Sequence, residues 1–174
     1  YSADVLSQST AIRALDSSES VPMQALVHTL HNPAVFWRVR IAAAVQLRNR
    51  AGTRAAGVDA NWRPLEELLD FYKLRHFSNR IRPQPLDFRD MAEYFVQKAV
   101  PLLVASVRAA DDTTPVDAVN FVLSLLKQYD NSKNDKNDAA FLATLIDAAA
   151  LLRAPPDEHE QNGKQRASEP QQRG

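Results

Sequence analysis

Apolar side chains recur along this chain at three- and four-residue intervals, and no stretch alternates in the manner of a half-buried strand. The pattern therefore predicts helices throughout. A first helix is expected over residues 4–15, before the breaker DSSES. A second occupies VPMQALVHTLH, with Ser20 as cap and Pro22 in the first turn, and Asn32-Pro33 ends it. In AVFWRVRIAAAVQLRNRA, the residues Phe36, Val39, Ala43 and Leu47 share one face, and Gly52 supplies the stop. WRPLEELLDFYKLRHF is expected to bury Leu65, Leu68, Leu69 and Phe71 or Tyr72, and SNRIRPQPLD reads as a loop.

Asp87 then reads as the cap of FRDMAEYFVQKAVPLLVASVRAA, whose stripe runs through Phe88, Met91, Phe95, Ala99, Leu102 and Leu103. Pro101 interrupts it, and a mid-helix proline costs roughly 3 kcal/mol, so a bend or two short helices are expected. Thr114 reads as the cap of the next helix, with Pro115 first and Asp117 third. The last helix, DAAFLATLIDAAALLRA, places Leu142, Leu145, Ile146, Ala149 and Leu152 together. From Pro155 onward the chain is polar and aperiodic, too poor in apolar surface to offset the entropy of ordering. The domain expectation is therefore a helical segment over residues 1–153 and a disordered linker or tail over 154–174.

Antiparallel helices of this length form either a bundle or a solenoid, and ALVHTLHNPAVFWRVRIAAAVQL favours the second. It has the form of a HEAT repeat, with a leucine-spaced helix, an Asn-Pro turn, and an alanine-rich helix that lets a neighbouring repeat approach closely. Arg40 sits at the edge of that buried stripe, placed to pair with a carboxylate or a helix-end carbonyl of the next repeat. The predicted fold class is all-α, an α-solenoid of antiparallel HEAT/ARM-like pairs, with an irregular bundle as the alternative.

Composition narrows the chemistry. The 174 residues are 45% hydrophobic and 24% charged, include no cysteine, and begin at Tyr1, which suggests a piece of a longer protein. Without thiols there is neither a disulfide framework nor a thiolate metal site. No apolar run is long enough to cross a bilayer, so no membrane partner is expected. The zero net charge is unevenly distributed: eleven basic against five acidic side chains over residues 36–89, then six against twelve over 90–160. Arg38, Arg48, Arg50, Lys73, Arg75, Arg80 and Arg82, with His76 among them, are the candidate contacts for DNA or an acidic partner. Bases near a helix C-terminus are also favoured by the helix dipole alone.

Three apparent motifs dissolve on inspection. Asp130, Ser132, Asn134 and Asp138 begin like a calcium loop, but Asp135 stands where the turn needs glycine and Phe141 where it needs a bidentate glutamate. The segment reads instead as a polar connector, with Asn134, Asp135 or Asn137 capping the last helix. HEQNG opens like a zinc-protease motif and lacks the second histidine. His28 and His31 have ligand spacing without an evident third ligand. No catalytic, cofactor or metal site is predicted.

The blocks YSADVLSQSTAIRAL, FWRVRIAAAVQL, YFVQKAVPLLVASVR and FVLSLLKQYDNSKNDKNDAAFLATLIDAAA resemble, in order and spacing, the HEAT-like C-terminal region of the TFIID subunit 2 (TBP-associated factor 2) family. Tyr94-Phe95, Gln97-Lys98, Pro101 and the turn at Asp130-Asn131 are the most specific pieces. The resemblance implies a nuclear, non-enzymatic scaffold segment of the general transcription factor TFIID in RNA polymerase II initiation. That family is aminopeptidase-like in architecture without the catalytic function. Implied partners are other TFIID subunits, TBP-associated factors 8 and 1 among them, and promoter DNA around the initiator. The competing expectation is the C-terminal helical domain of an active zinc aminopeptidase.

Overall fold

A computed structural model describes residues 21–52, 61–132, 136 and 138–154, with Ser7 and Thr10 helical. The helix expected over 4–15 is otherwise outside the described residues, as are the Ser20 cap, the tail from residue 155 and HEQNG. Among the described residues there are six helices: α1 (Met23–His31), α2 (Trp37–Arg50), α3 (Arg63–His76), α4 (Met91–Ala105), α5 (Val116–Lys127) and α6 (Ala139–Ala150).

They pair as α1/α2, α3/α4 and α5/α6, and the pairs stack. The first helices of successive pairs touch one another, α1 on α3 and α3 on α5, while α2 packs on α4 and α4 on α6. Hydrogen bonds fix the directions. The start of α2 reaches the start of α4 through Arg40 and Glu93, and the ends of the two helices meet through Arg48 and Ser106. Tyr94 early in α4 reaches Asp138 at the start of α6, and Arg108 after α4 reaches the Leu151 carbonyl after α6. The second helices therefore run parallel in one layer, as stacked repeats require.

Small residues set the spacing of that layer. Ala43 and Ala44 of α2 are wholly buried, as are Val96, Val100 and Val104 of α4 and Ala148 of α6. Leu26, Leu30, Leu68, Phe71 and Tyr72 fill the space between them and the first layer. Each such large side chain contributes about 2 kcal/mol by leaving water. The faces expected for α2 and α3 are buried, except that Phe36 sits at the N-cap of α2 and is 36% exposed. Gly52 follows the end of α2 at φ +74, where a Cβ would lie 2.6 Å from the Arg108 carbonyl oxygen. Glycine is required there on both counts.

Several local expectations give way. The loop after α3 contains a two-stranded antiparallel ladder, β1 (Phe77–Ser78) and β2 (Arg82–Pro83). Asn79 and Arg80 at its tip both have positive φ, the combination a type I′ turn requires. Asp87 does not cap α4. Its carboxylate accepts from the Arg89 backbone N–H, and Asp90 takes the cap, accepting from Glu93 N–H at 2.9 Å. Pro115 rather than Thr114 occupies the cap position of α5, because Thr114 Oγ1 accepts from Arg153 N–H and Arg108 Nη1 instead.

The α4 stripe is displaced as well. Tyr94, Val96, Gln97, Val100, Val104 and Ala105 are buried, while Met91 and Phe95 are exposed. Pro101 is buried inside a single unbroken helix from Met91 to Ala105, not at a break. On α6, Leu145 is buried with Phe141, Thr144 and Ala148, but Ile146 is exposed. Both helices are apolar over more of their circumference than one core can cover, which is why a simple stripe chose the wrong side.

Candidate functional site

The most concentrated polar chemistry lies where α2, α3 and α4 meet. Arg40 is 1% exposed, the largest of a few polar side chains in a mostly apolar interior. Its Nε donates to the Leu30 carbonyl at 2.9 Å, and its Nη1 donates to Glu93 Oε2 at 2.7 Å. The carboxylate expected from the next repeat is Glu93, while the helix-end carbonyl comes from Arg40's own pair rather than from the neighbour. Phe71 lies beneath the guanidinium at 5.9 Å. The second Glu93 oxygen stands 3.3 Å from Arg75 Nε and 3.3 Å from His76 Nε2.

His76 is buried against Phe71 and Tyr72, so it is not part of a basic surface. Its place one helical turn after Tyr72 on the apolar face of α3 was the available signal. Burial pulls its pKa down to about 4, against the opposing pull of Glu93 and with help from Arg75 and Arg40. It is neutral near pH 7. Burial pushes the Glu93 carboxyl up, but the Arg40 hydrogen bond and the charges of Arg40, His76 and Arg75 outweigh that and hold it below its usual value. This arrangement clamps two repeats together.

A second clamp joins α4 to α6. Tyr94 donates its hydroxyl to Asp138 Oδ2 at 2.8 Å, while Asp138 Oδ1 accepts from Phe141 N–H. Asp138 is therefore the cap of α6 and is spent on structure, and Phe141 is buried as the rejection of the calcium loop requires. Asp130 accepts from Ser132 N–H in a local turn. The expected caps Asn134, Asp135 and Asn137 lie outside the described residues, and the cap falls to Asp138 instead. His31 stacks edge-on to Phe71 at 5.1 Å, and no group of three potential metal ligands occurs among the described residues.

The seven candidate bases do not converge. Arg48 and Arg50 sit at the C-terminal end of α2, where Arg48 binds the Ser106 hydroxyl and carbonyl and Arg50 binds the Val21 carbonyl. Arg38 is at the opposite end, about 15 Å away along the helix. There it shares an edge of the stack with Arg75, which leans on Glu93. Arg80 and Arg82 are exposed on the β-hairpin after α3. Lys73 borders a depression among Glu66, Asp70 and Asp117. A separate cavity of about 320 Å³ opens beside the hairpin, walled by Tyr72, Arg82, Gln97, Tyr129 and Asp130. No motif pointed to it.

Stacked antiparallel pairs, with their buried charges used to join one pair to the next, define a helical-repeat protein. The sequence profile described as TAF2-like, TPR repeats matches residues 1–169. The chain belongs to that family. It is 30% identical over 152 residues to transcription initiation factor TFIID subunit 2 of Danio rerio, and 30% over 154 residues to that of Gallus gallus. The Drosophila melanogaster protein of the same name is 28% identical over 156 residues. These alignments cover 85–87% of this chain but only 12–13% of the relatives, so the chain spans a small part of their length. The profile describes the repeats as TPR where the motif read as HEAT; both are solenoids of stacked helical pairs.

Two outcomes are expected of the clamp. Arg40→Leu should destabilise the chain by roughly 3 kcal/mol in urea denaturation, because the half-buried Glu93 carboxylate loses its main partner. Adding Glu93→Leu should recover part of that loss. The second concerns acid. Between pH 6.5 and about 4 the unfolded chain binds a proton at His76 that the folded chain refuses. Stability is therefore unaffected above that window and falls as pH drops through it, by at most about 3 kcal/mol. Urea midpoints at pH 7 and pH 5 should differ less in His76→Gln than in the parent. Glu93 adds an acid loss of its own, as pH falls through its depressed folded value.

Proposed function

We propose that this chain is a non-catalytic scaffold segment of a nuclear TFIID subunit, holding other TFIID subunits in place during RNA polymerase II initiation. The observation that carries this reading is the family match over residues 1–169 together with relatives named TFIID subunit 2. The fold supports it. Its charged interior is consumed in joining repeats, which leaves outer faces and hairpins as the parts that can meet a partner. The segment acts by geometry, presenting surface at fixed spacing rather than turning over a substrate.

TBP-associated factors 8 and 1 are the partners to which the family resemblance points, and promoter DNA is the third. For DNA the exposed hairpin bases Arg80 and Arg82, with Arg38 and Arg75 on the same edge, are the contact set. Arg48 and Arg50 are excluded from it because their guanidinium groups hold the fold together. Phosphate contact of this kind is independent of sequence and sensitive to salt.

Tagged chain expressed in cells and purified from nuclear extract should retain TFIID subunits, with residue-level crosslinks on the outer helix faces. Retention of none of them would overturn the reading. Arg80→Glu with Arg82→Glu should weaken the association of the TFIID-containing assembly with promoter DNA at low salt and flatten its salt dependence. Unchanged binding would remove the hairpin from the DNA contact.

A further inference from the structure

Five aromatic rings run in contact across the starts of α2 and α4. Phe36 touches Trp37 at 5.6 Å between ring centres, Trp37 touches Phe95 at 4.6 Å, Phe95 touches Tyr94 at 5.8 Å and Tyr94 touches Phe88 at 5.6 Å. The inner members are held by the fold, but Phe36, Phe95 and Met91 are 36%, 37% and 46% exposed. Met91 and Phe95 lie one turn apart, and Lys98 and Leu102 continue the same side of α4. A contiguous aromatic and thioether patch of this kind marks a binding surface more often than a solvated one.

Charge decides what fits it. Arg38 lies over the Trp37 ring at 5.0 Å and Lys98 over the Tyr94 ring at 5.8 Å. Neither has a carboxylate partner among the described residues. The carboxylates nearby are engaged: Asp87 with Arg89, Asp90 with the start of α4, and Glu93 with Arg40. Along its whole length α2 carries four arginines and no acid. The patch is thus apolar at its centre and cationic at its margins.

We infer that this face docks an acidic amphipathic helix from a partner protein. Apolar side chains at i, i+3, i+4 and i+7 would cover Phe36, Trp37, Phe95 and Met91, and flanking carboxylates would meet Arg38 and Lys98. The inference rests on the scaffold reading above and gives its partner a chemistry.

The probe is a fluorescein-labelled peptide with leucine and tryptophan at those spacings and glutamate elsewhere, titrated against the 174-residue chain by fluorescence anisotropy. Its counterpart replaces every glutamate by lysine. Saturable binding of the acidic peptide alone is expected, weakened about tenfold or more both by Phe95→Asp and by Arg38→Glu with Lys98→Glu. The charge variant changes only side chains without a buried role, and circular dichroism melts confirm that each variant is folded. No saturable binding, equal binding of the lysine peptide, or binding unchanged in both variants overturns the inference. So does a dimer of the chain that Phe95→Asp dissociates, since a second copy would then be the occupant. Retention of TFIID subunits without peptide binding overturns this inference alone; peptide binding without that retention keeps it and overturns the scaffold reading.

Discussion

The hydrogen-bonded pair of Arg40 and Glu93 is the interaction on which this stack depends. Desolvating two charges costs several kcal/mol each, and only close geometry with further hydrogen bonds offsets it. Arg40 has that geometry because it reaches two different elements from one side chain, the Leu30 carbonyl of its own pair and the Glu93 carboxylate of the next. A leucine in its place would pack against either neighbour in any rotation. The guanidinium accepts one relative position of α1, α2 and α4, so it fixes register where alanine-rich faces alone would slide.

The same logic is repeated with weaker groups at the next junction. Tyr94 follows Glu93 directly, so adjacent residues of α4 hold its two neighbours in the layer, one by a carboxylate and one by a hydroxyl. Asp138 completes that second contact and caps α6 with its other oxygen. Asp138 thus serves the fold with both oxygens, and the loop before it, with Asp135 where a calcium loop needs glycine and Phe141 where it needs a bidentate glutamate, is a connector.

The helices and their pairing were legible because helical period, Asn-Pro, Gly52 and the alanine run act locally. The partner required by Arg40 was legible as a type of group, but Glu93 lies 53 residues further on, and only the fold brings it there. Caps were read less well. Asp87, Asp90 and Thr114 all have capping side chains, and which one caps depends on where competing donors such as Arg89 and Arg153 arrive. The basic cluster dispersed for a similar reason. Seven bases close in sequence fall on opposite edges of the stack, and His76 turns inward. The apolar residues of α4 misled in an informative way, since Met91 and Phe95 belong to a second, exposed side that a single-core reading has no place for.

Three helices lying side by side in the same sense carry their dipoles in parallel, each with about half a charge at either end, and such neighbours repel laterally. The layer of α2, α4 and α6 behaves like a small charged capacitor whose plates need opposite linings. Arg48 and Arg108 line the carbonyl plate, bonded to the oxygens of Ser106, Ala105, Val107 and Leu151, while Asp90 and Asp138 line the amide plate. The linings are shared between neighbours, Arg48 of α2 meeting the end of α4 and Arg108 after α4 meeting the end of α6, so a solenoid of this type grows an ionic rim in step with its length.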